Sequence, residues 1–281
     1  MKYVNLFVVI IAGLFLITGC DKVDPTEKTP TYLKIDSFHF QPTPGTGTSS
    51  HKITSVWVYL EGRTIGAFDL PATVPVLADE PGQITLTPGI TFSGLNDVQT
   101  AYPFYRSDTF TLNPQPGEVV SITPVTSYLP DTALNILELD FETGNPFYKT
   151  DGDTALIVTS DPQYRFEGDY GGLIVLDDQS LSVNLMQTAF IAPTVSFLEI
   201  NYRNTVPFQI GLQTTSSTGQ TFTTYILGLH PRNEWNKVYI GLQDFVNQYP
   251  NRNYRIVVRV LTENPQDGFV ALDNLKVISG R

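Results

Sequence analysis

From Tyr32 onward the chain alternates apolar and polar residues in short segments rich in Val, Ile, Thr, Tyr and Phe, separated by clusters of Gly, Pro, Asn and Asp. A period of two is the repeat of a strand, whose successive side chains point to opposite faces; a helix would repeat every 3.6 residues. The chain is therefore predicted to be all-β. Strands that bury one face and wet the other must stack in layers, so β-sandwiches are the expected architecture. Only GLQDFVNQY, residues 241–249, offers a short helix, stopped by Pro250.

The first half predicts strands near residues 32–40, 53–60, 64–70, 74–77, 83–87, 108–112 and 118–124. In VWVYLEGRTIGAFDL the break at Glu61-Gly62 signals a hairpin, because Gly accepts the positive φ that tight turns need. YLPDT, residues 128–132, separates this block from a second strand-rich block, which sets the expected domains at residues 32–128 and 133–281. A length of 281 residues suits two domains of ordinary size.

The first twenty residues read differently. Lys2 precedes twelve apolar residues, 6–17, too few for the roughly twenty that span a hydrocarbon core. A basic start and a short apolar run form a secretory leader. Its end, ITGC, resembles the lipobox of bacterial lipoproteins, which implies a signal peptide over residues 1–19 and a diacylglycerol on the Cys20 thiol. Cys20 is the only cysteine, so it has no disulfide partner in an oxidising compartment. Residues 20–31, with two prolines and no apolar period, read as a tether. The expected place is the cell envelope, lipid-anchored in the outer membrane, with acidic Asp21, Asp24 and Glu27 compatible with surface export.

Charge narrows the partners. The 28 acidic residues against 17 Lys and Arg give a net charge of −11. A polyanion is held by clustered cations, so nucleic acid is excluded, and attachment to anionic lipid headgroups is opposed; the membrane tie is the covalent lipid, and several acyl chains are needed to hold firmly.

Two resemblances refine the fold. The run through PATVPVL and GQITLTPGI resembles small immunoglobulin-like or PEGA-like sandwiches of exported proteins. In the second half, ILELDFETGNPF, EGDYGG, NEWNKVYIGL and GFVALDNLKVIS, in that order, resemble the jelly rolls of the galactose-binding-like and carbohydrate-binding-module type. That resemblance implies a structural calcium held in part by Glu142 and Asp273, with Asp151, Asp153, Asp177 and Asp178 as further candidates; calcium takes six to eight oxygens. It also implies that Trp235 packs in the sandwich core, and Trp57, between Val56 and Val58, is read as a core residue too.

Parity in the late strands defines a polar surface. In SFLEINYR, Leu198 and Ile200 oppose Glu199, Asn201 and Arg203; in PFQIGLQT, Phe208, Ile210 and Leu212 oppose Gln209 and Gln213; in YRIVVRVLT, Ile256, Val258 and Val260 oppose Arg255 and Arg259. Adjacent strands would join these with Tyr225 into one ligand face, since planar amides and guanidinium groups suit hydroxyl or carboxylate partners. The competing reading is a solvated sheet face.

Catalysis has no sequence signature here. There is no G-x-S-x-G elbow, phosphate loop or H-E-x-x-H, and His39, His51 and His230 lack metal spacing. The expectation is a non-catalytic envelope lipoprotein that binds glycan through the jelly roll, or alternatively serves as a protein-contact subunit of an export, adhesion or motility assembly.

Overall fold

The computed structural model describes residues 27–281 other than 43, 47, 95–97, 194, 251 and 264–267. The lipobox, with Cys20, lies outside the described residues. Among those described, no helix is long and apolar enough to cross a membrane.

The first half holds β1 (Thr31–Ile35), β2 (His39–Phe40), β3 (Ser55–Leu60), β4 (Arg63–Asp69), β5 (Ala72–Val76), β6 (Gly82–Thr91), β7 (Gln99–Ala101), β8 (Asp108–Leu112), β9 (Val119–Ile122) and β10 (Val125–Thr126). They form a three-stranded sheet in the order β5-β1-β9, a five-stranded sheet β4-β3-β6-β7 with β8 on β6, and a small β2–β10 pair. Alternation dictates the packing. Leu33, Ile35, Val74 and Val76 of the first sheet meet Val56, Val58, Ile84 and Leu86 of the second, all buried. The hairpin between β3 and β4 turns at Glu61 and Gly62, with φ of 49° and 73°, the two positive values of a primed two-residue turn. The 32–40 segment is two strands, interrupted at residues 36–38, and β7 had no forecast in the sequence.

A 3₁₀ turn, Asp131–Ala133, leads to β11 (Leu134–Leu139), β12 (Phe147–Gly152), β13 (Leu156–Thr159), β14 (Gly171–Leu176), β15 (Ser182–Gln187), β16 (Phe190–Ile191), β17 (Ser196–Asn204), β18 (Phe208–Thr215), β19 (Thr221–Leu229), β20 (Arg232–Gly241), α1 (Gln243–Gln248), β21 (Asn253–Leu261) and β22 (Gly268–Gly280). These make two six-stranded sheets. One runs β13-β14-β22-β17-β20 with β11 also on β22; the other runs β12-β15-β21-β18-β19 with β16 also on β21. Between them lies one apolar core, including Leu198, Ile200, Val238 and Ile240 from the first and Phe208, Ile210, Ile256 and Val258 from the second. This is the expected two-layer jelly-roll sandwich. The short helix forms where the sequence placed it and buries Phe245 and Val246.

Among the described residues no sheet mixes strands of the two halves, yet the halves are packed together. A third cluster joins Phe40, Ile90, Tyr102, Phe104, Tyr105 and Tyr128 of the first to Leu134, Phe197, Tyr239 and Ile278 of the second. Its rings meet edge to face, as between Tyr102 and Tyr239, 5.0 Å apart, and Tyr102 and Phe197, 5.2 Å apart. Buried aromatics each remove on the order of 150–250 Å² from water, and edge-to-face geometry adds to that.

Candidate functional site: the open face of the larger sandwich

The single polar face expected from parity is two faces. Between β17 and β18 the chain passes through residues 205–207 from one sheet to the other: β17 pairs with β20 and β22, whereas β18 pairs with β19 and β21. The alternation of each strand is as read, but outward on β17 and outward on β18 are opposite directions. Glu199, Asn201 and Arg203 therefore stand on one side of the sandwich, and Gln209, Gln213, Tyr225, Arg255 and Arg259 on the other.

The Glu199 side is closed. Glu199 has no exposed surface; its carboxylate accepts hydrogen bonds from Tyr102 Oη at 2.6 Å and Tyr128 Oη at 2.7 Å, and its Oε2 lies 2.7 Å from Lys237 Nζ. Burial alone would raise the carboxyl, but Lys237 and Lys276 outweigh it and hold it below the usual carboxylate range. Lys237 also donates to the Ser50 carbonyl at 2.9 Å, and Lys276 to the Thr46 carbonyl. The Lys276 ammonium sits 4.5 Å above the Tyr128 ring centroid and is pushed down by burial against the pull of Glu199. Asn201 accepts from Ser50 Oγ at 3.0 Å. The contacts with Tyr102, Tyr128, Ser50 and Thr46 cross between the halves, and Glu199 and Asn201 are buried and not available to a ligand. Docking of the smaller sandwich adds two hydroxyl donors to the buried Glu199–Lys237 pair, which meets the need of a buried ion pair for further hydrogen bonds. The tyrosines Tyr102, Tyr105, Tyr128 and Tyr239 are held neutral, since burial pushes each hydroxyl up. Arg203, at the margin, is spent on backbone carbonyls, donating to Asn233 O of β20 at 2.8 Å and Gln163 O at 3.0 Å.

The other side is open. Gln209 stands opposite Arg259, and Gln213 opposite Arg255 on one flank and Thr223 on the other, to which its Nε2 donates at 2.9 Å. Tyr225 is 37% exposed and lies across Gly211, where a Cβ would meet the ring at 3.1 Å and Thr224 O at 2.7 Å. The Arg259 guanidinium is 5.5 Å from the Tyr225 ring centroid, which fixes the ring on the sheet. Asn184, opposite Arg259 in β15, has a buried Oδ1 without a partner, and Tyr148 on the edge strand is 47% exposed. A hollow at one end is lined by Phe208, Gln209, Leu229, His230, Arg259 and Leu261, among others. Amphipathic rings beside planar donors and acceptors can hold hydroxyl-rich or carboxylate-bearing molecules by stacking and bidentate hydrogen bonds. Asn184 and Tyr148 escaped the sequence reading because their strands lie far upstream; parity in SVNLMQ would have found the first.

Glu142 and Asp273 each hold backbone N–H groups of one loop. Asp273 Oδ2 accepts from the backbone N–H groups of Phe166 at 2.7 Å and Glu167 at 3.3 Å, and its Oδ1 from that of Asn274 at 2.7 Å. Glu142 Oε1 accepts from Asp169 and Tyr170 N–H at 2.9 and 3.1 Å. Both carboxylates clamp the loop over residues 164–170, and Asp273 is pushed up to about 6 by burial. Asp153 accepts from Ser182 N–H, 29 residues on, and Asp177 closes a turn by accepting from Gln179 N–H. Among the described residues no three His, Cys, Asp or Glu converge on a metal position. Neither tryptophan enters a core. Trp235 shares outward parity with Lys237 and Tyr239 and packs against Phe166, 5.7 Å away, while Trp57 faces away from Val56 and Val58 and leans on Gly89.

No protein-family model matches the sequence, and no curated protein matches it. Among solved structures, the chain is similar to a carbohydrate-binding module of the β-sandwich superfamily, with a TM-score of 0.40 and 14% identity over 79% of this chain and 84% of that one. It is also similar to the family 30 carbohydrate-binding module of the cellulosomal cellulase Cel9D-Cel44B of Clostridium thermocellum, at 0.39 and 14% over 51% and 96%. A family 29 carbohydrate-binding module gives 0.36 and 14% over 52% and 90%. Likenesses of this degree carry no residue role to this chain, and the site stands on its own geometry.

Proposed function

We propose that the protein is a non-catalytic, lipid-anchored component of the cell envelope, in which the smaller sandwich is a fixed platform and the open sheet of the larger one binds glycan. Cys20 supplies the anchor and residues 20–31 the tether. The observation that carries the binding role is Tyr225, held exposed on Gly211 by Arg259 with Gln209 and Gln213 on the neighbouring strand. Such a ring offers an apolar face to a sugar ring, and its neighbours offer planar donors and acceptors to hydroxyls. The carboxylates of Glu142, Asp153, Asp177, Glu199 and Asp273 hold protein N–H, hydroxyl or ammonium groups, which supports binding without turnover.

The test is a glycan panel run on the leaderless chain and on Tyr225→Ala, beside affinity capture from solubilised envelope. Retention of a saccharide by the native chain and its loss in the variant is the expected outcome. No saccharide retained, with a stable protein partner captured, would favour the contact-subunit reading, for which exposed Ile191, 79% exposed, and Leu261, 55%, at the margin of the same sheet are the supporting feature.

A further inference from the structure

A second opening lies between the sandwiches, and its lining is basic in an acidic chain. It is bounded by Lys52 of the smaller sandwich and by His230, Arg232, Asn236, Lys237 and Tyr239 of the larger. The segment carrying Lys52 is pinned by its own N–H, which donates to Tyr239 Oη at 2.8 Å, and by its ammonium, which donates to Asn236 Oδ1 at 2.6 Å. Arg232 opens β20 with its backbone N–H on Asn204 Oδ1. Lys52 is held below its usual range by partial burial and by the adjacent Arg232.

The pairing pattern is what stands out physically. The ion pairs of the described residues are Lys28–Asp79, Lys34–Asp36, Arg165–Asp169 and Lys237–Glu199. Lys237 is thus neutralised from behind, while Lys52 and Arg232 both line the opening and neither has a carboxylate within ion-pair distance among the described residues, in a chain where acids outnumber bases 28 to 17. Two neighbouring cations repel and cost stability until an anion lies between them. The opening adjoins the open face, since His230 and Leu229 line both it and the hollow that holds Gln209 and Arg259.

We infer that this cleft is an anion subsite that takes the carboxylate or sulfate of an acidic saccharide whose neighbouring sugars lie on the Tyr225 face. The inference rests on the glycan reading for the kind of molecule and on the unpaired cations for its charge. The density of charge decides against other anions: a net charge of −11 repels nucleic acid and anionic bilayers, whereas a saccharide with isolated charges presents one anion to one cation pair. An acidic peptide is disfavoured by the contiguous face of ring, amide and guanidinium, which matches hydroxyls.

The experiment uses the full leaderless chain and saccharide pairs that differ in one anionic group: an oligogalacturonate with a single free carboxylate and its full methyl ester, and a monosulfated neutral oligosaccharide and its desulfated form. At least one acidic member is expected to bind about tenfold or more tighter than its neutral counterpart, and the double variant Lys52→Gln/Arg232→Gln to bring it down to the neutral level. Equal affinities within every pair, an undiminished preference in the variant, or displacement of the saccharide by a poly-glutamate peptide at equal charge would overturn the inference. Inorganic sulfate separates the two layers. It is expected to raise the melting temperature of the native chain above that in chloride of equal ionic strength, and not that of the double variant. A sulfate response without any retained saccharide keeps the anion site and refutes the glycan reading; no sulfate response refutes the anion site whatever the saccharides do.

Discussion

The two outer faces of the larger sandwich are written in the same code and meet opposite fates. On one, Glu199, Lys237 and Lys276 alternate with Ile200, Val238 and Val277 and are sealed beneath the smaller sandwich; on the other, Gln209, Arg255 and Arg259 alternate with Ile210, Ile256 and Val258 and stay at the surface. What separates them is the partner. The sealed face has both signs of charge and a ring of tyrosine hydroxyls that satisfy them, so it can be desolvated. The cations and amides of the open face form no ion pair among the described residues, and water or a ligand must complete them.

That contrast can be broken by substitution. The largest effect is expected at Glu199→Ala, which leaves Lys237 and Lys276 buried without their counter-charge and should cost about 3–5 kcal/mol in denaturant unfolding. A loss below about 1 kcal/mol, the range of exposed pairs, would mean that this face is not sealed. Next come Tyr102→Phe and Tyr128→Phe, each removing a hydrogen bond to the carboxylate and expected to cost about 1.5–3 kcal/mol by the same measurement.

Acidity sharpens the comparison through signs. Glu199 titrates below its usual range in the folded chain, so its stabilisation is present above that range and is lost as the pH falls through the lowered value. Asp273, raised to about 6, behaves oppositely: its contribution is present below its usual 3.8 and lost as the pH rises through about 6. Thermal melts between pH 4 and 6 should therefore show a smaller decline on raising the pH in Asp273→Asn than in the native chain. An identical slope in the two would remove Asp273 from the account. Chelation is expected to leave the melting temperature unchanged, since both loop-clamping carboxylates already hold backbone N–H groups. The smallest stability effect is expected on the open face, where Arg255→Ala should stay within about 0.5 kcal/mol.

Much of this was legible in the residues. Period-two alternation gave the strands and both cores, Glu61-Gly62 gave the hairpin, and Pro250 ended the one helix. What alternation cannot tell is which sheet a strand joins. The crossing at residues 205–207 reversed the meaning of outward between β17 and β18, and so split a face that parity alone would unite. The tryptophans differ for a related reason: Trp57 and Trp235 sit opposite the valines of their own strands, so parity places both rings outside the cores, whereas the resemblance implied a core position for Trp235. The seal itself had a signal, since Lys237 and Tyr239 alternate with Val238 and Ile240 as regularly as any core strand, but its partners Tyr102 and Tyr128 are about a hundred residues away and only the folded chain brings them together.

The central claim is that one face is scaffold and the other binds, and titration of the retained saccharide against the native chain and Tyr225→Ala, with a melting curve for each, tests it most directly. The variant is expected to bind at least about tenfold more weakly, roughly 1.4 kcal/mol, while melting at the native temperature. Equal affinity in the two proteins would contradict the account.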